Sequence, residues 1–280
     1  MSISPPRTSS LDTIFGIRKP LIGDVHLPPL PGTPRYRGET MSSIIDRALA
    51  DADAFVRGGM DGIIFENHGD IPFLKPHEIG PEIISAMTAI IVRVVDTIHL
   101  PFGISLLANG AIGGLAIAKA TGARFIRVNQ WVNAYVGNEG LIEGESARAL
   151  RYRRQIDALD VAIFADVHVK HGSHSIVADR SVSEQAGDVE FYDADVAIAT
   201  GNRTGEAVPA AEIDAVRAGT RLPIIAGSGV TPENVHEILT SLDGAIVGSS
   251  LKVGGVWWNS VDVERVKKLV QKIKPLRNLP

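Results

Sequence analysis

Short apolar runs rich in Val and Ile recur along this chain, each followed by a longer amphipathic segment, and the alternation repeats eight times. In order the runs are "PLIGDVH" (20–26), "DGIIFEN" (61–67), "PFGISLL" (101–107), "RFIRVN" (124–129), "VAIFAD" (161–166), "ADVAIAT" (194–200), "PIIAGSG" (223–229) and "DGAIVGS" (243–249). A run that is apolar at nearly every position suits a strand covered on both faces, so the pattern predicts parallel strands joined by helical crossovers. Helices are expected near 40–57, 80–98, 110–122 and 144–158, with Gly in "RGGMDG" and "ATGA" ending helices ahead of the next strand. Doubly wound sheets usually stop at about five to seven strands, whereas eight βα units in a chain of this length define a single-domain α/β fold, a (β/α)8 TIM barrel.

The barrel is assigned to residues 19–280, with no linker, low-complexity block or charge run inside 19–275, and residues 1–18 to an N-terminal tail whose "LDTIFG" forms a short helical plug. With 45% hydrophobic and 21% charged residues the chain can bury a large core without staples. It has no cysteine, which rules out disulfides, thiolate metal sites and a thiol nucleophile. A net charge of −4 with both signs interspersed offers no basic face, so nucleic acid is not an expected partner. No apolar stretch reaches membrane-spanning length and the N-terminus lacks a signal-peptide core, so a cytoplasmic protein without membrane insertion is expected. A homo-oligomer is compatible with this composition.

In such a barrel the chemistry sits at the carboxyl ends of the strands. Strand periodicity of two places Asp24 and His26 in file with Ile22, Glu66 with Ile64, and Asp166 with Phe164. If the file continues past the fifth strand, His168 and Lys170 rise above Asp166. Asn67, Asn109, Arg127, Asn129, Thr200 and Asn202 close the other strands. Each Asn or Thr taken singly suits a helix cap or a loop hydrogen bond. Charges inside apolar strand patterns are harder to dismiss, since burial costs them dearly unless they are paired or functional. Arg127 is the obvious ion-pair partner of Glu66 or Asp166. The catalytic candidates are therefore Asp166, Lys170, His168, Glu66 and Arg127, with Asp24, His26, Asn67, Asn109, Asn129, Thr200 and Asn202 as substrate-binding candidates.

The seventh and eighth units carry a second signal. "AGSGVTPENV" sets Gly227, Ser228 and Gly229 behind a strand, with Thr231 as N-cap and Pro232 at the first helical position, and "VGSSLK" ends the eighth strand at Gly248, Ser249 and Ser250. Glycines let backbone amides approach an anion, and these two loops of a barrel commonly hold a phosphate. No cofactor is expected, because "ANGAIGGLAIA" is not a dinucleotide fingerprint and "AGSGV" is not a nucleophile elbow. His26, Glu66, Asp166, His168 and His171 have the donor chemistry for a divalent metal, but their spacing matches no recognised site, so acid/base chemistry ranks first.

Several long segments, in order, resemble the BtpA/SgcQ family. They are "LIGDVHLPPLPGTPRY" (21–36), "DGIIFENHGDIPF" (61–73), "FIRVNQWVNAYVGNEGLIEG" (125–144), "ADVHVKHGSH" (165–174), "TGNRTGE" (200–206), "GSGVTPENV" (227–235) and "DGAIVGSSLKVGG" (243–255). The resemblance runs from about Ile17 to the last helix and implies a barrel of the ribulose-phosphate-binding type. It points in two functional directions, since the name comes from a cyanobacterial member implicated in photosystem I biogenesis while the SgcQ branch is associated with sugar metabolism. Asp24 departs from the family pattern, which is apolar there.

Three functions are compatible with these observations. The leading expectation is an enzyme acting on a small phosphorylated, sugar-like molecule, either an isomerase or epimerase with a carboxylate base or a lyase with Lys170 as Schiff-base amine. The second is a non-catalytic assembly factor that retains the pocket, for which the adjacent Trp257 and Trp258 offer a contact surface. A glycosidic or nucleosidic bond hydrolase with Glu66 and Asp166 as its two carboxylates is the third.

Overall fold

Each of the eight apolar runs becomes a strand, and a hairpin adds two more. In the computed structural model, which describes residues 9–201 and 205–277, the strands are β1 (Leu21–His26), β2 (Gly62–Glu66), β3 (Phe102–Ser105), β4 (Phe125–Val128), β5 (Ala134–Gly137), β6 (Gly140–Glu143), β7 (Ala162–Asp166), β8 (Val196–Ala199), β9 (Ile224–Ala226) and β10 (Gly244–Val247). All but β5 and β6 are parallel and close into a barrel in which β4 neighbours β7 and β10 returns to β1. The helices are α1 (Ser10–Phe15), α2 (Met41–Gly58), α3 (Pro81–Val95), α4 (Ala111–Thr121), α5 (Ser146–Gln155), α6 (Val182–Phe191), α7 (Ala210–Gly219), α8 (Val235–Ser241) and α9 (Val263–Arg277). Among the described residues no helix is long and apolar enough to cross a membrane.

Local chemistry sets the helix ends. The Thr40 hydroxyl accepts from the Ser43 amide to start α2, and Gly59 and Gly122, at φ +89° and +79°, end α2 and α4 in the left-handed conformation that costs glycine least. One start differs from expectation. Thr231 does not cap a helix at Pro232; its hydroxyl accepts from the Glu233 amide while Asn234 Oδ1 accepts from the Thr231 amide, and this turn delays α8 to Val235.

Inside the barrel, side chains alternate with the strand period, and each inward file changes character as it climbs. Ile22 leads to Asp24 and His26, Ile64 to Glu66, Phe125 to Arg127, Phe164 to Asp166, Ile198 to Thr200, Ile225 to Gly227 and Ile246 to Gly248. The lower layer is apolar and closed by α1, whose Leu11 and Ile14 pack with Ile22, Ile64, Phe125, Phe164 and Ile246. The helix spans most of "LDTIFG". The tail expected before it falls largely on residues 1–8, outside the described residues. A larger apolar layer between sheet and helices holds the outward residues; there Gly23 admits the ring of Phe55 so closely that a Cβ would stand 2.6 Å from it, and inside the barrel Gly103 admits Phe125 in the same way, at 2.3 Å.

The β5–β6 hairpin was not expected from periodicity, because its strands are short and half-exposed. It turns at Asn138 and Glu139, with Gly140 at φ +92°, and is bridged to the loop after β7 through Val136 and Ser173. It rises beside the barrel mouth.

Candidate functional site

The upper layer of the barrel carries charge, and most of it is internally matched. Arg127 on β4 donates from Nε to Asp166 Oδ1 and from Nη2 to Oδ2, both at 3.1 Å, and Asn129 Nδ2 adds a third bond to Oδ2 at 3.2 Å. A two-pronged guanidinium–carboxylate pair of this kind is strong and geometrically fixed. Asp166 lies beneath the mouth with every close donor occupied and lines neither cavity described below. The expected base is thus part of the frame that holds Arg127, and it does not face Glu66 across a substrate space as a second hydrolytic carboxylate must.

Glu66, at the end of β2, is the carboxylate that does reach the mouth. Its Oε1 accepts from His68 Nδ1 at 2.8 Å and its Oε2 from the Ser105 hydroxyl at 2.8 Å. Burial opposes its ionisation, but the hydrogen bond and charge of His68, with His26 and Arg127 nearby, outweigh it and hold the carboxyl well below the usual range. Directly across the β1–β2 register stands His26, whose ring stacks on that of His68 with centroids 4.5 Å apart. His26 Nδ1 donates to the Trp257 carbonyl at 3.1 Å, and Nε2 lies 3.3 Å from Asp24 Oδ2. The other oxygen, Asp24 Oδ1, is buried without a hydrogen bond. Trp257 walls this group edge-on, its ring centroid 4.5 Å from that of His68. The tryptophan pair therefore stands at the mouth, with Trp258 turned out to solvent.

Opposite these residues lie the two glycine loops. Gly227, Ser228, Gly229, Gly248, Ser249 and Ser250 line one small cavity of about 50 Å³ together with Asp24, His26, Glu66, His68 and Lys170. Glycine is required here: a Cβ on Gly248 would come 2.8 Å from His26 Nε2, and Gly229 adopts φ +72° against the Glu206 carbonyl. Among the described residues, the amides of Ser228, Gly229, Ser249 and Ser250 donate to no backbone carbonyl, and the Ser228 hydroxyl is buried without a partner. The Ser250 hydroxyl instead donates to the Val230 carbonyl and ties the two loops together. Such a ring of unspent donors suits an anion.

Lys170 joins this cavity to a second, of about 280 Å³, lined by Ile71, Phe73, Leu107, Arg127, Asn129 and Tyr135 among others, with Glu66 and His68 also shared. Among the described residues its ammonium has no hydrogen-bond or ion-pair partner, and burial, reinforced by the Arg127 guanidinium, pushes it below the ordinary lysine range.

Other sequence candidates play different parts. The chain leaves strand geometry after Asp166, so His168 turns away from the mouth and stacks on His174 at 3.7 Å, with Nδ1 3.6 Å from Glu212. Asn67 accepts from the Leu107 amide and donates to Asp70, while Asn109 accepts from the Gln130 amide and donates to the Glu143 carbonyl at the hairpin base. Thr200 donates to the His168 carbonyl. These three tie loops together through those bonds. Asn202 lies outside the described residues. The donor set weighed from sequence as an alternative is not the one assembled: Asp166 pairs with Arg127 and His168 stacks on His174, while the imidazole that joins His26 and Glu66 is His68. His68 and Ser105 were not among the catalytic or binding candidates, and Trp257 was singled out only as part of a contact surface. The signal for His68 was its place two residues after Glu66 in "ENHGD".

Parallel strands whose carboxyl ends converge on a polar mouth define a (β/α)8 barrel of the architecture used by many metabolic enzymes. The tryptophan synthase structure from Mycobacterium tuberculosis superimposes with a TM-score of 0.61 at 16% identity, covering 98% of this chain and 100% of that one, a likeness of fold. The chain belongs to the BtpA family, which it matches over residues 17–275. An uncharacterised protein of Archaeoglobus fulgidus is 42% identical over 92% of this chain and 100% of its own length. The photosystem I biogenesis protein BtpA of Synechocystis sp. is 38% identical over 92% of this chain and 88% of its own.

Proposed function

We propose that this protein is an enzyme acting on a small phosphorylated, sugar-like metabolite, and that it moves a proton at a carbon next to a carbonyl, the step shared by isomerases, epimerases and aldolase-type lyases. One observation carries the reading: Lys170, desolvated and with no ion-pair partner among the described residues, stands in the same cavity as the unspent amides of Ser228, Gly229, Ser249 and Ser250. The loops take the phosphate. Its position sets the carbon chain against Lys170, with the larger and more apolar cavity beside it for the rest of the molecule.

A lysine whose ammonium is destabilised is available as a neutral amine, either to accept the proton or to condense with the carbonyl. Arg127, fixed by Asp166, keeps positive potential beside it and favours the enolate that forms. Glu66 stays ionised and acts by orienting His68 rather than as the base.

Calorimetry with ribose 5-phosphate, ribose and inorganic phosphate tests the binding half. The phosphorylated sugar is expected to bind at least about tenfold more tightly than ribose, with inorganic phosphate competing, and Ser228→Asp, which sets a negative charge among the loop amides, abolishes the difference. Equal affinity for ribose and ribose 5-phosphate, or phosphate binding untouched by Ser228→Asp, overturns the reading. The chemical half is read by proton NMR in D2O, where loss of a carbon-bound proton from a phosphosugar must depend on Lys170.

A further inference from the structure

One donor atom from each of His26, Glu66 and His68 lies within 4.8 Å of the other two, and all three side chains line the small cavity. We propose that these residues, with Asp24 as an additional oxygen donor, hold a divalent transition-metal ion at the barrel mouth. The inference rests on the phosphosugar reading only for what the ion does, not for where it binds.

Two independent features converge on the same point. First, the donors around His26 leave a place for a cation. Its Nδ1 donates to the Trp257 carbonyl, and its Nε2 is aimed at Asp24 Oδ2, 3.3 Å away. Asp24 is 5% exposed, and its Oδ1 has no partner at all. Leaving a buried carboxylate oxygen unmatched is costly, and a cation held between Asp24 and His26 removes that cost. Second, the charge around the anion loops has the wrong sign for an anion. The carboxylates of Asp24 and Glu66 share the cavity with the glycine amides, and Lys170 supplies the single cationic side chain among its lining residues. A phosphate dianion entering beside two carboxylates requires further positive charge, and a divalent ion supplies it.

The surroundings match a site that orients its ligands from behind. Ser105 donates to Glu66 Oε2, and the Trp257 carbonyl fixes the His26 tautomer. Donors about 2.1 Å from a central ion stand some 3–4 Å apart, so small side-chain movements within the present spacing suffice. Two imidazoles with one or two carboxylates select manganese, iron, cobalt or zinc over magnesium or calcium. The Gly248 loop and Lys170 line the same cavity as these donors, so a substrate carbonyl oxygen would arrive beside the ion. A bound ion polarises that oxygen while Lys170 accepts the adjacent proton, leaving an enolate matched by the ion's charge.

The test uses the full chain stripped with a chelator and titrated with Mn2+ or Co2+ alone. One ion per chain is expected. Electron spin echo spectra of the Mn2+ form should show imidazole nitrogen couplings, a readout that needs no variant. Glu66→Gln and His68→Gln should each weaken binding by about 10–100-fold while circular dichroism shows them folded. Absence of stoichiometric binding, absence of nitrogen coupling, or equal affinity in the folded variants overturns the site. Inorganic phosphate separates this failure from that of the enzyme reading. Phosphate binding without ion binding sinks the metal site alone, whereas ion binding with no phosphate binding to the loaded protein sinks the enzyme reading alone.

Discussion

Lys170 shows how a single residue can be a cost to the fold and the centre of the site. Its unpaired ammonium is desolvated, so the folded chain releases the proton more readily than the unfolded chain does. Between the depressed folded value and the ordinary value near 10.5, the unfolded state binds more protons and stability rises with pH. Below that window the full penalty applies. Lys170→Met is therefore expected to raise stability at neutral pH, by up to about 2 kcal/mol, and the gain should vanish above about pH 10.5, while proton exchange on phosphosugars is lost. Urea midpoints across pH check the first part; a destabilised Met variant would show the lysine to be structural. Asp70 has the opposite sign. Its carboxylate accepts from the Leu30 amide and Asn67 Nδ2 beneath the mouth, and burial pushes the carboxyl up to about 6 from 3.8. The protonated form is favoured by folding, so its contribution is complete below about pH 3.8 and is lost as pH rises through about 6. The stability of wild type relative to Asp70→Asn should accordingly rise on going from pH 7.5 to pH 4.5, by on the order of 1–2 kcal/mol; a relative fall instead contradicts this environment for Asp70.

Between elements, the most consequential tie is the Lys252–Asp51 pair. Lys252, in the loop that follows β10, is fully buried and donates to Asp51 Oδ2 on α2 at 2.8 Å, while Asp51 Oδ1 accepts the Val261 amide just before α9. The pair holds the Trp257–Trp258 loop against the barrel and so keeps the Trp257 carbonyl beneath His26. Asp51→Ala strands the lysine and should cost about 3–5 kcal/mol, whereas adding Lys252→Met should restore part of that loss. Urea denaturation of the single and double variants decides it, and equal stability of the two would mean that Lys252 escapes to water. The sequence does not announce this tie, because Asp51 reads as a surface residue of an amphipathic helix and its partner lies 201 positions away. Strands and helices were legible because the apolar runs keep a regular period. The β5–β6 hairpin was not, since four-residue, half-exposed strands carry too little periodicity to register. Parity also stops informing once a strand ends: His168 and Lys170 share the parity of Asp166, yet the turn after β7 sends one towards His174 and the other into the mouth.

Across the whole molecule, function and stability are laid out along the barrel axis. Inward files that begin in Ile and Phe end in Asp, Glu, Arg and Gly, so one end holds a dry layer sealed by α1 and the other a polar mouth. That polarity was readable from strand parity, and the glycine loops from their place behind the seventh and eighth strands. What parity could not reveal is which buried charge is spent: Asp166 and Glu66 occupy equivalent strand ends, but a guanidinium reaches across one strand to fix the first, leaving the second to meet His68. The layout makes a prediction about separability. Leu11→Ala removes a buried side chain from the sealed end and should cost about 2–4 kcal/mol, since the plug packs directly on Ile22 and Phe125. It touches neither cavity at the mouth, so inorganic phosphate affinity of the folded fraction should stay within about twofold of wild type, a difference of only about 0.4 kcal/mol. Ser228→Asp should do the reverse, abolishing phosphate binding with little change in the urea midpoint, because its hydroxyl makes no bond that folding relies on. Thermal unfolding and calorimetry on both variants measure the two effects side by side. If Leu11→Ala weakens phosphate binding as strongly as it weakens the fold, the two ends are coupled through the strand files and the mouth is not an independently built site.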